Sequence, residues 1–178
     1  GHCHFWGGEA QGPEEIRAVI RRQIERQADW IKVMATGGVM TRGTKPLAPQ
    51  FDVSEIACVV EEAARHGRSV AAHCHGTAGI ANAVEGGVRT VEHCSFAGRA
   101  GFGSDFDARV VESIARNGAW VSPTVNRGWG RRVFRKPENE GDPASHSEFF
   151  ERMQRVFEAL RAAEVQFIAS TDAGIPGV

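Results

Sequence analysis

The strongest constraint on the fold is the mostly apolar stretch 29–38, which carries a lysine near its middle and ends in two glycines. A short apolar run that is closed by glycine is typical of a strand buried in a parallel sheet. Lys32 lies inside this run, and burying an unpaired ammonium group is energetically costly. We therefore expect Lys32 to have a partner or a chemical role.

Length and charge exclude several classes of protein. The 178 residues fit one globular domain, and the formal net charge of −1 gives no electrostatic reason to expect nucleic acid or a membrane surface as partner. The four cysteines lie singly within predicted elements, which indicates reduced thiols. We expect a cytoplasmic protein that acts on a small molecule or a dipeptide, and we leave open a homo-oligomeric full-length protein.

Strands and helices are predicted to alternate along the chain. The apolar strands are predicted at 29–38, 69–76, 90–95, 120–124 and 166–174. The helices are predicted to begin near Pro13, at Asp52 with Glu55 as its capping partner, at Thr77, at Asp107, and at Ser145 with Glu148 as its capping partner. Strict alternation of this kind is typical of parallel β/α units.

Two long connections interrupt the alternation. The segment 37–50 is rich in glycine and proline, which is typical of a loop that covers a site. The polar segment 126–143 is also long, and we expect it to form a lid-like excursion.

Three of the later strands each carry a metal-capable residue near the carboxyl end, namely His73, His93 and Asp172. Barrel enzymes place their chemistry at this end of the strands, but a complete (β/α)8 barrel typically needs about 250 residues. We interpret the chain as an α/β protein, a partial (β/α)8 TIM barrel with a parallel sheet. It would hold roughly strands 4 to 8 with their helices, as a single catalytic-barrel domain over residues 1–178, incomplete at both ends. A complete small doubly wound sheet is the alternative.

Each of these residues also has an ordinary structural explanation. A histidine at a strand end is commonly held by hydrogen bonds alone. Lys32 could extend its ammonium group to solvent or form a Schiff base, as in barrel aldolases. Asp172 could cap a turn. The pattern indicates a metal site only because Lys, His, His and Asp follow one another on successive strand ends.

Four segments resemble the amidohydrolase superfamily. They are Ile31–Val39, Ala72–Gly76, Val91–His93 and Ser170–Gly174. They are most similar to its imidazolonepropionase-related branch, which includes Xaa-Pro and Xaa-Arg/Lys dipeptidases. The resemblance extends over essentially the whole chain.

The resemblance implies a binuclear metal site. Lys32 would be carboxylated, and its carbamate would bridge two divalent metals, usually zinc. His73 and His93 would complete one metal shell, and Asp172 would bind the other metal and transfer the proton of the attacking water. His75 would stabilise the oxyanion and contact substrate, and His2 resembles a substrate-contacting histidine.

The family also needs a His-x-His pair at the end of its first strand, and the letters His2-Cys3-His4 resemble one. Two further β/α units should separate that pair from Lys32, and each βαβ unit takes roughly 30 residues or more. We therefore do not assign His2 and His4 as this pair, and we expect the second metal site to be incomplete in this chain.

Three functions follow from these patterns. The leading hypothesis is a metal-dependent amidohydrolase that hydrolyses a C–N bond in a dipeptide or cyclic amide, with the isolated chain inactive. A barrel lyase or aldolase that uses Lys32 as a Schiff base is the second. The third is a non-catalytic fragment that binds a metal or a partner.

Overall fold

The structure is a computed structural model that describes residues 3, 7–38, 41–125 and 143–172, of which 143–147 through their backbone alone. Its elements, in chain order, are α1 (Gly12–Glu25), β1 (Trp30–Met34), α2 (Val53–Arg65), β2 (Ser69–Gly76), α3 (Thr77–Glu85), β3 (Thr90–Ala97), α4 (Ala108–Arg116), β4 (Trp120–Ser122) and α5 (Pro143–Ala162). No helix in these ranges has both the length and the apolar character needed to cross a bilayer.

The four strands form one parallel sheet in the order β1-β2-β3-β4. Lys32 is paired with Ala71 and Met34 with His73, while Val91 is paired with Val121. A helix returns the chain from each of β1, β2 and β3 to the next strand, which confirms the predicted parallel β/α units. The capping box also forms as predicted, because the Asp52 side chain accepts from the Glu55 amide and the Glu55 side chain accepts from the Asp52 amide.

One face of the sheet packs against the helices and forms the core. This outer face carries alternate strand residues, which meet apolar residues that recur at helical spacing. The buried strand residues are Ile31, Val33, Val70, Ala72, Cys74, Val91 and Val121. The helical residues that join the same core include Ile16, Ile20, Ile56, Val59, Ile80, Val84, Val111, Ile114, Val156 and Leu160.

The prediction that the first strand is buried is correct for one of its faces only. Ile31 and Val33 are buried against the helices, but Trp30 and Lys32 point to the opposite, inner face and are exposed. Alternation along a strand sends successive side chains to opposite faces. The Lys32 ammonium is therefore not enclosed in the apolar layer.

Two boundaries near the end of the chain differ from the prediction. Residues 166–174 were expected to form a fifth strand, but within residues 166–172 only an isolated parallel bridge between Val121 and Phe167 forms. The last helix begins at Pro143, so Ser145 lies inside it and does not cap it. Proline suits the first helical turn because its missing amide has no intrahelical partner there.

The segment 126–143 is predicted to form a lid-like excursion. Its residues 126–142 lie outside the part of the chain that the structure describes.

The loop after β1 lies across the ends of β1 and β2. The Gly37 amide donates to the Ala48 carbonyl at 3.3 Å, and the Gly76 amide donates to the Pro46 carbonyl at 3.1 Å. A Cβ at Gly76 would lie 2.5 Å from the carbonyl oxygen of Leu47. Glycine is therefore needed here so that the loop backbone can approach the strand end.

A buried carboxylate joins α1 to α2. Glu62 is 1 % exposed and accepts a hydrogen bond from Arg21 of α1 at 2.7 Å and another from Arg65 at 3.1 Å. The hydrogen bond from Arg21 and the charges of Arg21 and Arg65 hold the pKa of Glu62 below its ordinary value, although burial acts in the opposite direction. The charged form of Glu62 therefore stabilises the contact between these two helices.

We predict that Glu62→Gln destabilises the chain by about 1.5–3 kcal/mol at neutral pH, which is typical for hydrogen bonds to a charged group. Because the pKa of Glu62 is lower in the folded state, its contribution is present above the ordinary carboxyl pKa of 4.5 and is lost as the pH falls below that value. The difference in unfolding free energy between wild type and variant, measured by denaturant titration, should therefore shrink on acidification. The exposed neighbour Glu61, changed to Gln, is the matched control and should leave stability nearly unchanged.

Gly76→Ala should push the loop 41–50 away from the end of β2. The added methyl group overlaps loop backbone, and overpacking of this kind costs about 1–3 kcal/mol. Hydrogen exchange at the backbone amides of residues 37 and 76 should become faster. Gly118→Ala is the control, since its φ of +62° strains an alanine while its Cβ would meet open space. Equal loop protection in both variants would contradict the packing argument.

Candidate metal centre

Two histidines stand on the inner face at the carboxyl end of β2. The register pairs Met34 with His73, and strand alternation places His75 on the same side. Both side chains are 6 % exposed. They are therefore enclosed, unlike Trp30 and Lys32 at the start of the same face.

A backbone irregularity in β3 brings a third histidine to them. The register between β2 and β3 shifts between Cys74 and Gly76. In β3, His93, Cys94 and Phe96 have φ values of +67°, +46° and +44°, in the left-handed region that residues other than glycine rarely adopt. Such irregularities redirect side chains and concentrate at functional sites. His93 pairs with Cys74 of the outer face, yet its ring meets the inner-face histidines.

The three imidazoles form a compact group. The ring centroids of His73 and His75 are 4.7 Å apart, and the ring of His93 lies 4.6 Å from each of them. One ring nitrogen from each of the three lies within 4.8 Å of the other two. Among the histidine, cysteine and carboxylate side chains of the described residues, these three lie close enough to one another to share a metal ion.

Hydrogen bonds orient the two rings from β2. His73 Nε2 lies 3.1 Å from the carbonyl oxygen of Gly37, which can only accept, so Nε2 carries the proton and Nδ1 carries the lone pair. His75 Nδ1 lies 2.9 Å from the Ser95 hydroxyl, which donates to the His75 carbonyl at 3.4 Å. Since a hydroxyl has one proton, this arrangement leaves Nδ1 of His75 as the donor to Ser95 and gives Nε2 the lone pair.

The third ring is held from β4. His93 Nδ1 lies 2.8 Å from the hydroxyl of Thr124, just beyond the end of β4. Thr124 has a φ of +52°, and its amide donates to the Ser170 hydroxyl at 3.0 Å. Ser170 also contacts the Ser122 hydroxyl at 2.9 Å. Three short polar side chains therefore join His93 to the segment that follows α5.

An aromatic ring closes one side of the group. Phe102 stacks on His75 with centroids 5.3 Å apart and an angle of 14° between the planes. Its carbonyl accepts from Arg152 of α5 at 3.2 Å. The ring of His93 also stacks on His75, with an angle of 22° between the planes. His75 thus lies between the rings of Phe102 and His93.

Lys32 and Asp172 lie outside this group, Lys32 on the inner face of β1 and Asp172 in the segment that follows α5. Both are exposed, and Asp172 has a φ of +59°. Burial raises the pKa of the Cys3 thiol most, the Thr41 hydrogen bond and the Lys32 charge lower it, and the Asp172 carboxylate raises it.

Two thiols lie behind the histidines. Burial raises the pKa of Cys94, and burial together with the neighbouring Cys94 raises the pKa of Cys74. Both side chains are fully buried on the helix side of the sheet. They are packing residues of the core and do not contribute to the imidazole group.

The structure places the predicted site residues unequally. His73 and His93 come together, with His75 between them and Phe102, whereas Lys32 lies on the edge strand β1 and Asp172 follows the bridge between Phe167 and β4. His2 and His4 lie outside the described residues. Sequence analysis missed Ser95 and Thr124; the only signal was a hydroxyl residue close to the carboxyl end of a predicted strand.

Comparisons with known proteins identify the family of the chain. A sequence profile described as the amidohydrolase family matches residues 3–177. Ochratoxinase from Aspergillus niger is 48 % identical over 97 residues, which are 52 % of this chain and 20 % of that protein. The chain therefore spans about a fifth of the length of the curated relatives that it matches.

Solved structures share the fold. The crystal structure of A. niger ochratoxinase superimposes with a TM-score of 0.68 at 33 % identity, over 92 % of this chain and 35 % of that one. A Xaa-Pro dipeptidase with methionine bound in its active site gives 0.71 at 28 % identity, over 93 % and 39 %. The sheet and its helices are thus part of a (β/α)8 barrel, as predicted. With a family match over nearly all of its length, the chain belongs to the amidohydrolase family.

Proposed function

We propose that this chain carries part of the active site of a metal-dependent hydrolase that cleaves a C–N bond in a small amide or dipeptide. The observation that carries the proposal is the group of His73, His75 and His93 at the carboxyl ends of β2 and β3. Family membership supports the reaction class, and the position of the group supports the site, because barrel enzymes place their chemistry at this end.

The donor set fits a divalent cation such as zinc. Neutral imidazole is a preferred ligand, and catalytic zinc typically takes three protein ligands. Metal-binding histidines usually donate the other ring N–H to a carbonyl or hydroxyl group. His73 does so toward Gly37, and His75 does so toward Ser95. These two hydrogen bonds support the assignment of a metal site to the group.

We assign Lys32 to the same centre as a carboxylated residue. Its position on the inner face, two residues before Met34, the partner of His73, supports this assignment. Addition of the neutral amine to CO2, with loss of a proton, would replace the ammonium by two anionic oxygens. Such oxygens attract a cation, whereas the ammonium repels it.

Asp172 is proposed as the proton carrier. A bound divalent cation makes hydroxide available from water near neutral pH and polarises a carbonyl oxygen. Asp172 would accept the proton of the attacking water and deliver it to the leaving nitrogen. Its exposed carboxylate lies two residues after Ser170, which contacts Thr124 beside His93, and this supports a place at the open edge of the centre.

His75 can serve in two ways, and the Ser95 hydroxyl decides between them. With Nδ1 donating to Ser95, Nε2 of His75 carries a lone pair that is available to a metal, in addition to the proposed ligands His73, His93 and carboxylated Lys32. If the Ser95 hydroxyl turns to donate to Nδ1, Nε2 carries the proton and can donate to a developing oxyanion. We propose the second role during the reaction, with Phe102 holding the ring plane by stacking.

The relatives support a proposal for the substrate class. An ochratoxinase and a Xaa-Pro dipeptidase are among the similar proteins, and a further one is a prolidase solved with N-methylphosphonate-L-proline. We propose an amide or dipeptide substrate, with the loop 41–50 forming one wall of its site. His2 would contact the substrate.

We also propose that the chain works as part of a larger barrel. Its solved relatives are far longer, since it covers 35–39 % of the ochratoxinase and dipeptidase chains. A second metal would need ligands from that larger barrel.

The test is metal loading and hydrolysis in the full-length protein that contains this chain. Lys32→Ala should abolish both, because the carbamate oxygens are lost. Short carboxylic acids should restore part of the activity by supplying similar oxygens. Lys45→Ala, which removes an exposed ammonium group, should keep the metal. Elemental analysis and a panel of Xaa-Pro and Xaa-Arg dipeptides and aryl amides provide the measurements.

Two results would overturn the proposal. Full activity of Lys32→Ala without metal would remove the basis for a metal-dependent reaction. Trapping of substrate on Lys32 by borohydride would instead support Schiff-base chemistry.

A second pair of variants tests whether His75 acts as a metal ligand or as an oxyanion donor. His75→Gln should keep the bound metal and lower kcat by about 100-fold, the typical effect of losing one oxyanion donor. His73→Gln should lose the metal. If both variants lose metal to the same extent, His75 is a ligand throughout and the assigned oxyanion role is wrong.

A further inference from the structure

β4 differs from its neighbours because it carries no metal-capable residue near its carboxyl end. The structure gives this strand another connection to the imidazole group. The Thr124 hydroxyl contacts His93 Nδ1 at 2.8 Å, and the Thr124 side chain is nearly buried at 9 % exposure. This part-buried hydrogen bond joins a side chain of β3 to one just beyond the end of β4 and restrains both of them.

We propose that Thr124 is a positioning residue that fixes the tautomer and orientation of His93, and that Ser170 holds Thr124 in place. The inference rests on the proposed function, since it assigns His93 to the metal. With Thr124 Oγ1 accepting from Nδ1, the lone pair of His93 stands on Nε2. A hydrogen-bond partner on the ring nitrogen that does not face the metal orients the ligand and raises its basicity.

The backbone of Thr124 supports a specific role. Its φ of +52° lies in the left-handed region, which is unfavourable for a β-branched residue. Such a conformation persists only where the surroundings impose it. The Ser170 hydroxyl accepts the Thr124 amide at 3.0 Å and thereby stabilises this conformation. An extended backbone at Thr124 would turn the side chain to another direction.

The same contacts join two parts of the proposed centre. Ser170 is two residues before Asp172, and it meets both Ser122 and Thr124. Thr124 and Ser170 therefore tie the position of the β3 histidine to the segment that bears the proposed proton carrier. Among the described hydrogen bonds, these are the links between His93 and the residues that follow α5.

Thr124→Val and Thr124→Ser separate the hydroxyl from the side-chain shape. Valine keeps the branched shape and the backbone strain but removes the hydroxyl group, so the zinc affinity should fall about 10- to 100-fold. Serine keeps the hydroxyl and should retain the wild-type affinity. Thr90→Val is the matched control, because it removes a buried hydroxyl at the other end of β3 that contacts Glu92. Zinc affinity is measured by chelator competition on the purified protein.

The Ser170 contribution has its own test. Ser170→Ala should weaken zinc binding, and its effect should be non-additive with that of Thr124→Val because both act through one contact. Additive effects in the double variant would show that Ser170 does not act through Thr124.

Nitrogen-15 NMR of the imidazoles gives a readout that does not depend on metal. In the metal-free protein, His93 should be protonated on Nδ1 in wild type and Thr124→Ser, and should shift toward a mixture of tautomers in Thr124→Val. An unchanged His93 tautomer together with wild-type zinc affinity in Thr124→Val would overturn the inference. Failure of the proposed function is distinct, since it would appear in the wild type as the absence of zinc binding and hydrolysis, while the tautomer comparison would still decide the role of Thr124.

Discussion

The candidate centre depends on the place where the pairing of β2 and β3 departs from a regular ladder. In an unbroken parallel register, His93 would follow its partner Cys74 to the helix side of the sheet. The left-handed backbone at His93 and Cys94 redirects the ring, so that three imidazoles share one side. Left-handed residues other than glycine are unfavourable, and the surrounding core must therefore hold them in place. The close packing of Val91, Cys94 and Phe96 provides that support.

The rest of the fold keeps this irregular strand in position. Helices on the outer face enclose the sheet, while the loop 41–50 and the loop that bears Phe102 approach the inner group from two directions. Gly76 allows the first loop to contact the strand end, and Arg152 of α5 holds the second through its hydrogen bond to the Phe102 carbonyl. The imidazole group is thus in contact with segments that are far apart in sequence.

Local patterns in the sequence predicted most of the fold and part of the site. The capping box at Asp52, the bounds of β2 and α3, and the family all follow from short-range signals. Other features depend on tertiary context. The one-sided burial of β1 depends on what covers the inner face, and the single bridge at Phe167 depends on pairing with β4. The approach of His93 to His75 depends on a backbone conformation that strand periodicity does not encode. The role of Thr124 depends in turn on that approach.

The unequal burial of the four cysteines has a practical consequence for chemical labelling. Cys58, Cys74 and Cys94 are buried in the core, whereas Cys3 is partly exposed. A thiol reagent applied to the folded protein should therefore meet Cys3 first, although its raised pKa keeps the thiolate fraction low near neutral pH. Since the Cys3 amide donates to the Thr41 hydroxyl at 3.1 Å, a fluorophore attached to Cys3 would stand beside the loop 41–50, which contacts the end of β2. One cysteine thus offers a probe for carboxylation and metal entry without any change to the histidines.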